Sequence, residues 1–66
     1  MLFPTNLYKL RISKALTITE LSQYTNISIT SLSAYERGLY KPSLENLWKL
    51  ADFFQISLDQ LVGRVF

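Results

Sequence analysis

Apolar residues recur along this 66-residue chain at helical intervals, broken by short polar clusters. Across residues 5–15, Leu7, Leu10 and Lys14 stand at i, i+3 and i+7, and Arg11 falls at i+4 from Leu7. That spacing predicts an amphipathic first helix whose apolar stripe includes an arginine. Pro4 and Thr5 stand where such a helix would start. Thr17-Ile18-Thr19-Glu20 has the form of a capping box, with the Thr17 hydroxyl accepting from the backbone three residues on and Glu20 reaching back. It opens a second helix, about 17–24, with Leu21 inward. Thr25-Asn26-Ile27-Ser28 then breaks the pattern, because Asn tolerates the left-handed conformation that ends a helix. Ser28 is a good N-cap for a third helix, about 29–37, and Gly38 is its stop. Ser43 caps a fourth, to about Phe54, with Leu44, Leu47, Leu50, Ala51 and Phe54 at helical spacing. Ser57 and Gln60 form a second box, opening a fifth helix over 58–62 before Gly63. There is no strand pattern and no repeat. The expectation is all-α: a compact five-helix bundle in one domain, residues 1–66.

Composition sharpens this by exclusion. A chain of 66 residues buries only about 60% of its unfolded surface, so its stability is marginal. It has no Cys and no His. Disulfides, thiol catalysis, zinc fingers and haem ligation are thereby excluded, along with the commonest general base at neutral pH. A packed core remains, for which a second copy of the chain is one expected source of support. The apolar fraction of 48% suits a globular fold. Twelve leucines against two valines favour helices.

The net charge is +2. Residues 1–41 carry +3 and residues 42–66 carry −1. A basic half beside a mildly acidic one suits a surface facing a polyanion, although so few charges can also divide this way by chance. Met1 to Asn6 has neither the basic nor the apolar region of a signal peptide, and no run approaches the ~18 apolar residues of a membrane span. No membrane partner is expected, and a cytoplasmic location follows by default.

The second and third helices meet across a few residues containing Asn26, which is the arithmetic of a helix-turn-helix. Tight helical corners occur in many other domains. The residues are more specific. Leu7-x-x-Leu10-Arg11, Leu16-Thr17-x-x-Glu20-Leu21, Ile27-Ser28-x-x-Ser31-Leu32-Ser33-Ala34-Tyr35-Glu36-Arg37-Gly38, Lys41-Pro42-Ser43-Leu44 and Ile56-Ser57-Leu58-Asp59 follow one another in order. This series closely resembles the Cro and phage-repressor (Xre-like) helix-turn-helix family, from about Leu7 to Arg64. The resemblance implies a lambda-repressor-like DNA-binding domain of bacterial or phage origin, with the third helix reading DNA. Members are transcriptional repressors or regulators, often homodimers on a near-palindromic operator.

Matched to the family, Ile29, Thr30 and Ala34 fall at base-facing positions of double-stranded DNA, with Ser33 beside them. Thr17, Ile18, Ser28, Ser31, Arg37, Tyr40 and Lys41 fall at the helix starts and where members touch backbone. Arg37 and Lys41 are the expected phosphate partners, against the simpler reading of ordinary solvated charge. Arg11 and Glu36 occupy positions that pair across the first and third helices in the family.

The chain departs from the pattern in three respects. Ile18 stands where Gln is common, Ile29 and Ala34 replace hydrogen-bonding readers, and Asn26 replaces the usual turn Gly. Apolar readers reach only apolar features such as thymine methyl groups, leaving specificity to these, to DNA shape and to backbone contacts. The alternative is an interaction module with weak DNA binding.

Leu58, Val62, Val65 and Phe66 are the expected dimer face, since these and Tyr40, Trp48 and Phe53 cannot all enter so small a core. Otherwise Val62 is core and Val65-Phe66 a frayed end. Nothing after Gly63 reads as a linker, so a complete chain or domain is expected. An enzyme is not: there is no nucleophile–base pair, no metal-ligand cluster and no phosphate-binding glycine loop, and no cofactor or small-molecule ligand is evident.

Overall fold

The computed structural model describes residues 2–63. Its elements are α1 (Phe3–Ser13), α2 (Ile18–Thr25), α3 (Ile29–Glu36), α4 (Leu44–Phe54) and α5 (Leu58–Val62). Four of the five starts are set by a hydroxyl. Thr17, Ser28, Ser43 and Ser57 each accept from the backbone N–H three residues on, and Thr17–Glu20 and Ser57–Gln60 close full capping boxes. Such caps satisfy donors that a helix leaves open at its first turn.

α1 differs from the expectation at both ends. It starts at Phe3 rather than residue 5, with no side-chain cap at Leu2 and Pro4 in its first turn. Burial of Phe3 holds that start: its ring is fully enclosed and meets Tyr35 edge-on at 5.8 Å. α1 ends at Ser13 because Ala15 turns left-handed, at φ +54°. The Leu16 N–H then reaches the Arg11 carbonyl at 3.1 Å and the Ala15 N–H reaches Ile12 at 2.9 Å. This is a Schellman-type stop with alanine in the glycine position.

Each helix contributes one fully buried leucine: Leu7, Leu21, Leu32, Leu50 and Leu61. They meet with Phe3, Ile27, Tyr35, Ala51 and Phe54 in one core. Burying one such side chain is worth about 1.5–3 kcal/mol, so no helix can be peeled away cheaply. The two ends of the described chain are clasped. Leu2 N–H donates to the Val62 carbonyl, and the Asn6 amide donates to the Gln60 and Leu61 carbonyls at the end of α5. Gly63 sits against this clasp at φ +75°, where an added Cβ would lie 2.7 Å from Leu2 Cβ.

Candidate nucleic-acid interface

α2 and α3 are joined by a turn whose geometry is set by three residues. Asn26 is left-handed at φ +59°, and its N–H still bonds the Ser22 carbonyl at 2.8 Å. Ile27 is buried, which anchors the turn in the core. The Ser22 hydroxyl donates to the Ile27 carbonyl and ties the turn back to α2.

α3 is oriented from its inner side. Leu32 and Tyr35 enter the core, and the Tyr35 hydroxyl accepts from the Asn46 amide of α4 at 2.9 Å. At the end of α3, Glu36 takes two bonds from Arg11, Nε to Oε2 at 2.7 Å and Nη2 to Oε1 at 2.9 Å. Arg11 also donates to the Leu16 carbonyl at 2.8 Å, and its guanidinium lies 5.4 Å from the Tyr8 ring centroid. The hydrogen bond to Glu36 raises the Arg11 pKa above the ordinary guanidinium value, against the opposing effect of burial. This bidentate fork locks α3 to α1.

The outer side of α3 is a groove of about 380 Å³. Ile29, Thr30, Ser33 and Ala34 of α3 line it together with Arg37, Leu39 and Tyr40 just beyond the helix. Ile29 is 49% exposed and Thr30 is exposed, whereas Ala34 is only 6% exposed. The Leu39 N–H donates to the Ala34 carbonyl at 2.9 Å, folding the α3–α4 loop back over the helix end. Arg37 lines the groove, and both Arg37 and Lys41 are exposed. Among the described residues the one salt bridge joins Arg11 to Glu36, and neither Arg37 nor Lys41 is paired with a described carboxylate. Thr17 and Ser28, at the N-termini of α2 and α3, are exposed too. Ser28 accepts from the Ser31 N–H and shares a 2.9 Å hydroxyl bond with it. Free N–H groups at such ends suit phosphate oxygens.

The helix-turn-helix family model matches residues 7–61 of the chain. The chain belongs to the Xre/Cro-like helix-turn-helix family. It is 44% identical over 48 residues to the cryptic phage CTXphi transcriptional repressor RstR of Vibrio cholerae, covering 73% of this chain and 43% of that protein. It is 34% identical over 63 residues to the transcriptional activator BcrR of Enterococcus faecalis, covering 96% of this chain and 31% of BcrR. The crystal structure of a transcriptional regulator from Listeria innocua superposes with a TM-score of 0.88 at 33% identity, covering 97% of this chain and 60% of that one. The chain therefore spans less than half the length of these two curated relatives.

Within this helix-turn-helix protein, Ile29, Thr30, Ser33, Arg37 and Tyr40 share the groove face. Two candidates present little surface to it. Ile18 is half-buried and packs against the core, because the capping box turns the first residue of α2 toward the bundle. Ala34 lines the groove but presents little surface of its own. Leu58 and Val62 are also half-buried against the core, since a five-residue helix has little surface beyond the face that holds it. Val65 and Phe66 lie outside the described residues. Leu39 lines the groove with no precedent in the sequence reading, because a lone leucine in a connector has no periodicity to mark it. Beyond Leu2, Tyr8, Ile12 and Tyr24 elsewhere on the surface, α4 also exposes large apolar side chains, with Leu44 56% and Trp48 53% exposed. At i and i+4 they share the flank turned away from Asn46 and Phe53, which meet Tyr35 of α3 and Tyr24 of α2.

Proposed function

We propose that this chain is a sequence-specific DNA-binding transcriptional regulator, a repressor, that binds a near-palindromic operator as a homodimer with α3 in the major groove. The observation that carries this reading is the outer face of α3. It joins an open groove running the length of the helix to the exposed cations Arg37 and Lys41, on a helix locked in place by Arg11–Glu36. Base edges would meet Ile29, Thr30 and Ser33, with Ala34 beside them. Phosphates would meet Arg37, Lys41, Tyr40, and Thr17, Ser28 and Ser31 at the helix starts, with Ile18 supporting α2 from beneath.

A monomer offers few cations, and a dimer doubles them. The dimer face would include Leu58, Val62, Val65 and Phe66 and extend to Leu44 and Trp48, whose exposure is otherwise costly. Half-sites would then lie about one helical turn, ~34 Å, apart. No helix among the described residues is long and apolar enough to cross a membrane, and the reading is of a cytoplasmic, non-enzymatic protein without a cofactor.

A second reading, a protein-interaction module with weak DNA binding, is favoured by the packing of Ile18 against the core and the low exposure of Ala34. Retention on immobilised DNA across a salt gradient, with selection of bound sequences from a random pool, separates the two. The DNA reading expects late elution and one enriched motif. Early elution with no enrichment favours the module.

A further inference from the structure

We propose that Asn46 is a positioning residue for DNA reading: its bond to the Tyr35 hydroxyl sets the angle of α3 against α4, and with it the half-site spacing that a dimer accepts. The proposal rests on the dimeric DNA-binding reading. It adds the residue that ties the reading helix to the side assigned to the partner copy.

α3 is held on three sides by different means. Toward α1 it has the Arg11–Glu36 fork and the Phe3 ring set edge-on to Tyr35. Toward α2 it has the turn anchored by Ile27 and tied back by Ser22. Toward α4 one side-chain hydrogen bond is made among the described residues, from Asn46 Nδ2 to Tyr35 Oη at 2.9 Å. The connector over residues 37–43 does not replace it. Its N–H groups return to α3 as far as Leu39, and those of Tyr40, Lys41 and Ser43 make no backbone bond among the described residues. Leu32 and Tyr35 of α3 also share the core with Leu50, Ala51 and Phe54 of α4. Apolar packing holds two helices together without direction, whereas a hydrogen bond weakens steeply off its line. The angle between α3 and α4 therefore falls to Tyr35 and Asn46.

Both partners are themselves held. Tyr35 is buried with its ring against Phe3, and the Asn46 N–H is capped by the Ser43 hydroxyl at 3.1 Å in the first turn of α4. Leu44 and Trp48 stand two residues to either side of Asn46 and are exposed. Residues two apart on a helix do not share a face, so α4 gives one flank to α3 and another to the partner copy. A tilt of about 10° across the 23 Å middle dimension of the domain moves its far side by about 4 Å, against a base-pair step of ~3.4 Å. A small change at this bond is thus one step of half-site spacing. A bond that only satisfied a buried hydroxyl would change stability and leave spacing untouched.

The test is a spacing series. A preferred operator is selected from a random DNA pool with the full chain, and its half-sites are then moved apart or together by one base pair. Affinity for the three duplexes and for random DNA is measured at fixed salt, with stoichiometry determined in the same buffer. The wild-type chain is expected to lose at least about tenfold for either shift. In Tyr35→Phe and in Asn46→Ala the unshifted operator is expected to bind about threefold to tenfold more weakly, the worth of one hydrogen bond. The penalty for either shift is expected to fall to about threefold or less. Random DNA asks for no fixed distance between two helices and is expected to bind within about twofold of wild type. Asn46→Asp is expected to restore the sharp optimum, because a carboxylate in the same place accepts from the Tyr35 O–H. Each ratio is taken between duplexes on one preparation, so a variant of lowered stability still gives the answer. The proposal is overturned if the wild-type chain tolerates all three spacings or if Tyr35→Phe and Asn46→Ala keep its penalty. It is equally overturned if Asn46→Asp is as tolerant as Asn46→Ala. Those results, with the operator still bound by two chains, leave the dimeric reading standing. An operator bound by one chain, or no enriched sequence at all, would remove both.

Discussion

Arg11 and Glu36, 25 positions apart, are joined by a two-point fork at 2.7 and 2.9 Å, with only 12% and 8% of their side-chain surfaces exposed. A shielded fork of this kind does more for orientation than for net stability, because both charges must be taken out of water. It fixes where α3 emerges from the bundle. Glu36→Ala strands the guanidinium and is expected to destabilise the fold by about 3 kcal/mol. Urea denaturation measures this, and an unchanged midpoint would refute the role. Replacing both residues by leucine is expected to recover part of that stability while leaving DNA affinity impaired, since the apolar pair lacks the fork's direction.

Arg11 sets no pH switch in the ordinary range. The Arg11 pKa is raised in the folded chain. A raised basic group contributes its stability fully below its unfolded value and loses it only as pH climbs through the folded one. For arginine that window begins above about pH 12. Melts between about pH 6 and 9 are expected to show no transition from Arg11.

Ala15 carries a left-handed backbone at φ +54°, in the position where a helix stop favours glycine. Ala15→Gly relieves that strain but adds freedom to the unfolded chain. The first effect is larger, so a gain of about 0.5–1 kcal/mol is expected. In a domain of this size that raises Tm by a few degrees, readable by calorimetry. A lower Tm would mean that the Schellman-type stop does not limit α1.

Gly63 gives the opposite sign. Alanine there would keep a strained φ of +75° and drive its Cβ to 2.7 Å from Leu2 Cβ, against the clasp that joins α1 to α5. A loss of about 2 kcal/mol is expected for Gly63→Ala, from strain and forced displacement together. Tm unchanged within error would show that the clasp is not under constraint.

Arg37 and Lys41 are assigned to phosphates, and that role has a specific signature. Each alanine substitution should weaken binding to specific and random DNA alike and lower the salt slope by about one per subunit. An effect confined to one sequence, with an unaltered slope, would instead mark a base contact. Trp48→Glu places a charge on the exposed flank of α4. It is expected to shift the sedimentation profile toward monomer and to reduce operator affinity, without lowering Tm by more than the loss of dimerisation requires.

The four helix starts with a hydroxyl cap were legible because capping is local chemistry: Thr17, Ser28, Ser43 and Ser57 reach only three residues ahead. The limits of α1 were not, because Phe3 is held by a distant Tyr35 ring and Ala15 by a fold-imposed turn. The candidate DNA face shows the same division. The family resemblance put Ile29, Thr30 and Ser33 together on the outer side of one helix. The packing of Ile18 against the core, the burial of Ala34 and the arrival of Leu39 depend on how α2 and the α3–α4 loop pack, which spacing along one helix does not encode.

The most direct test of DNA reading by α3 as a dimer is a fluorescence anisotropy titration. It uses a duplex selected from a random pool, a scrambled control and a salt series, with stoichiometry determined in the same buffer. The expected result is two chains per site, a steep loss of affinity with salt, and a preference over the scrambled duplex of at least about a thousandfold. Equal affinity for both duplexes, or saturation at one chain per site, would contradict the account.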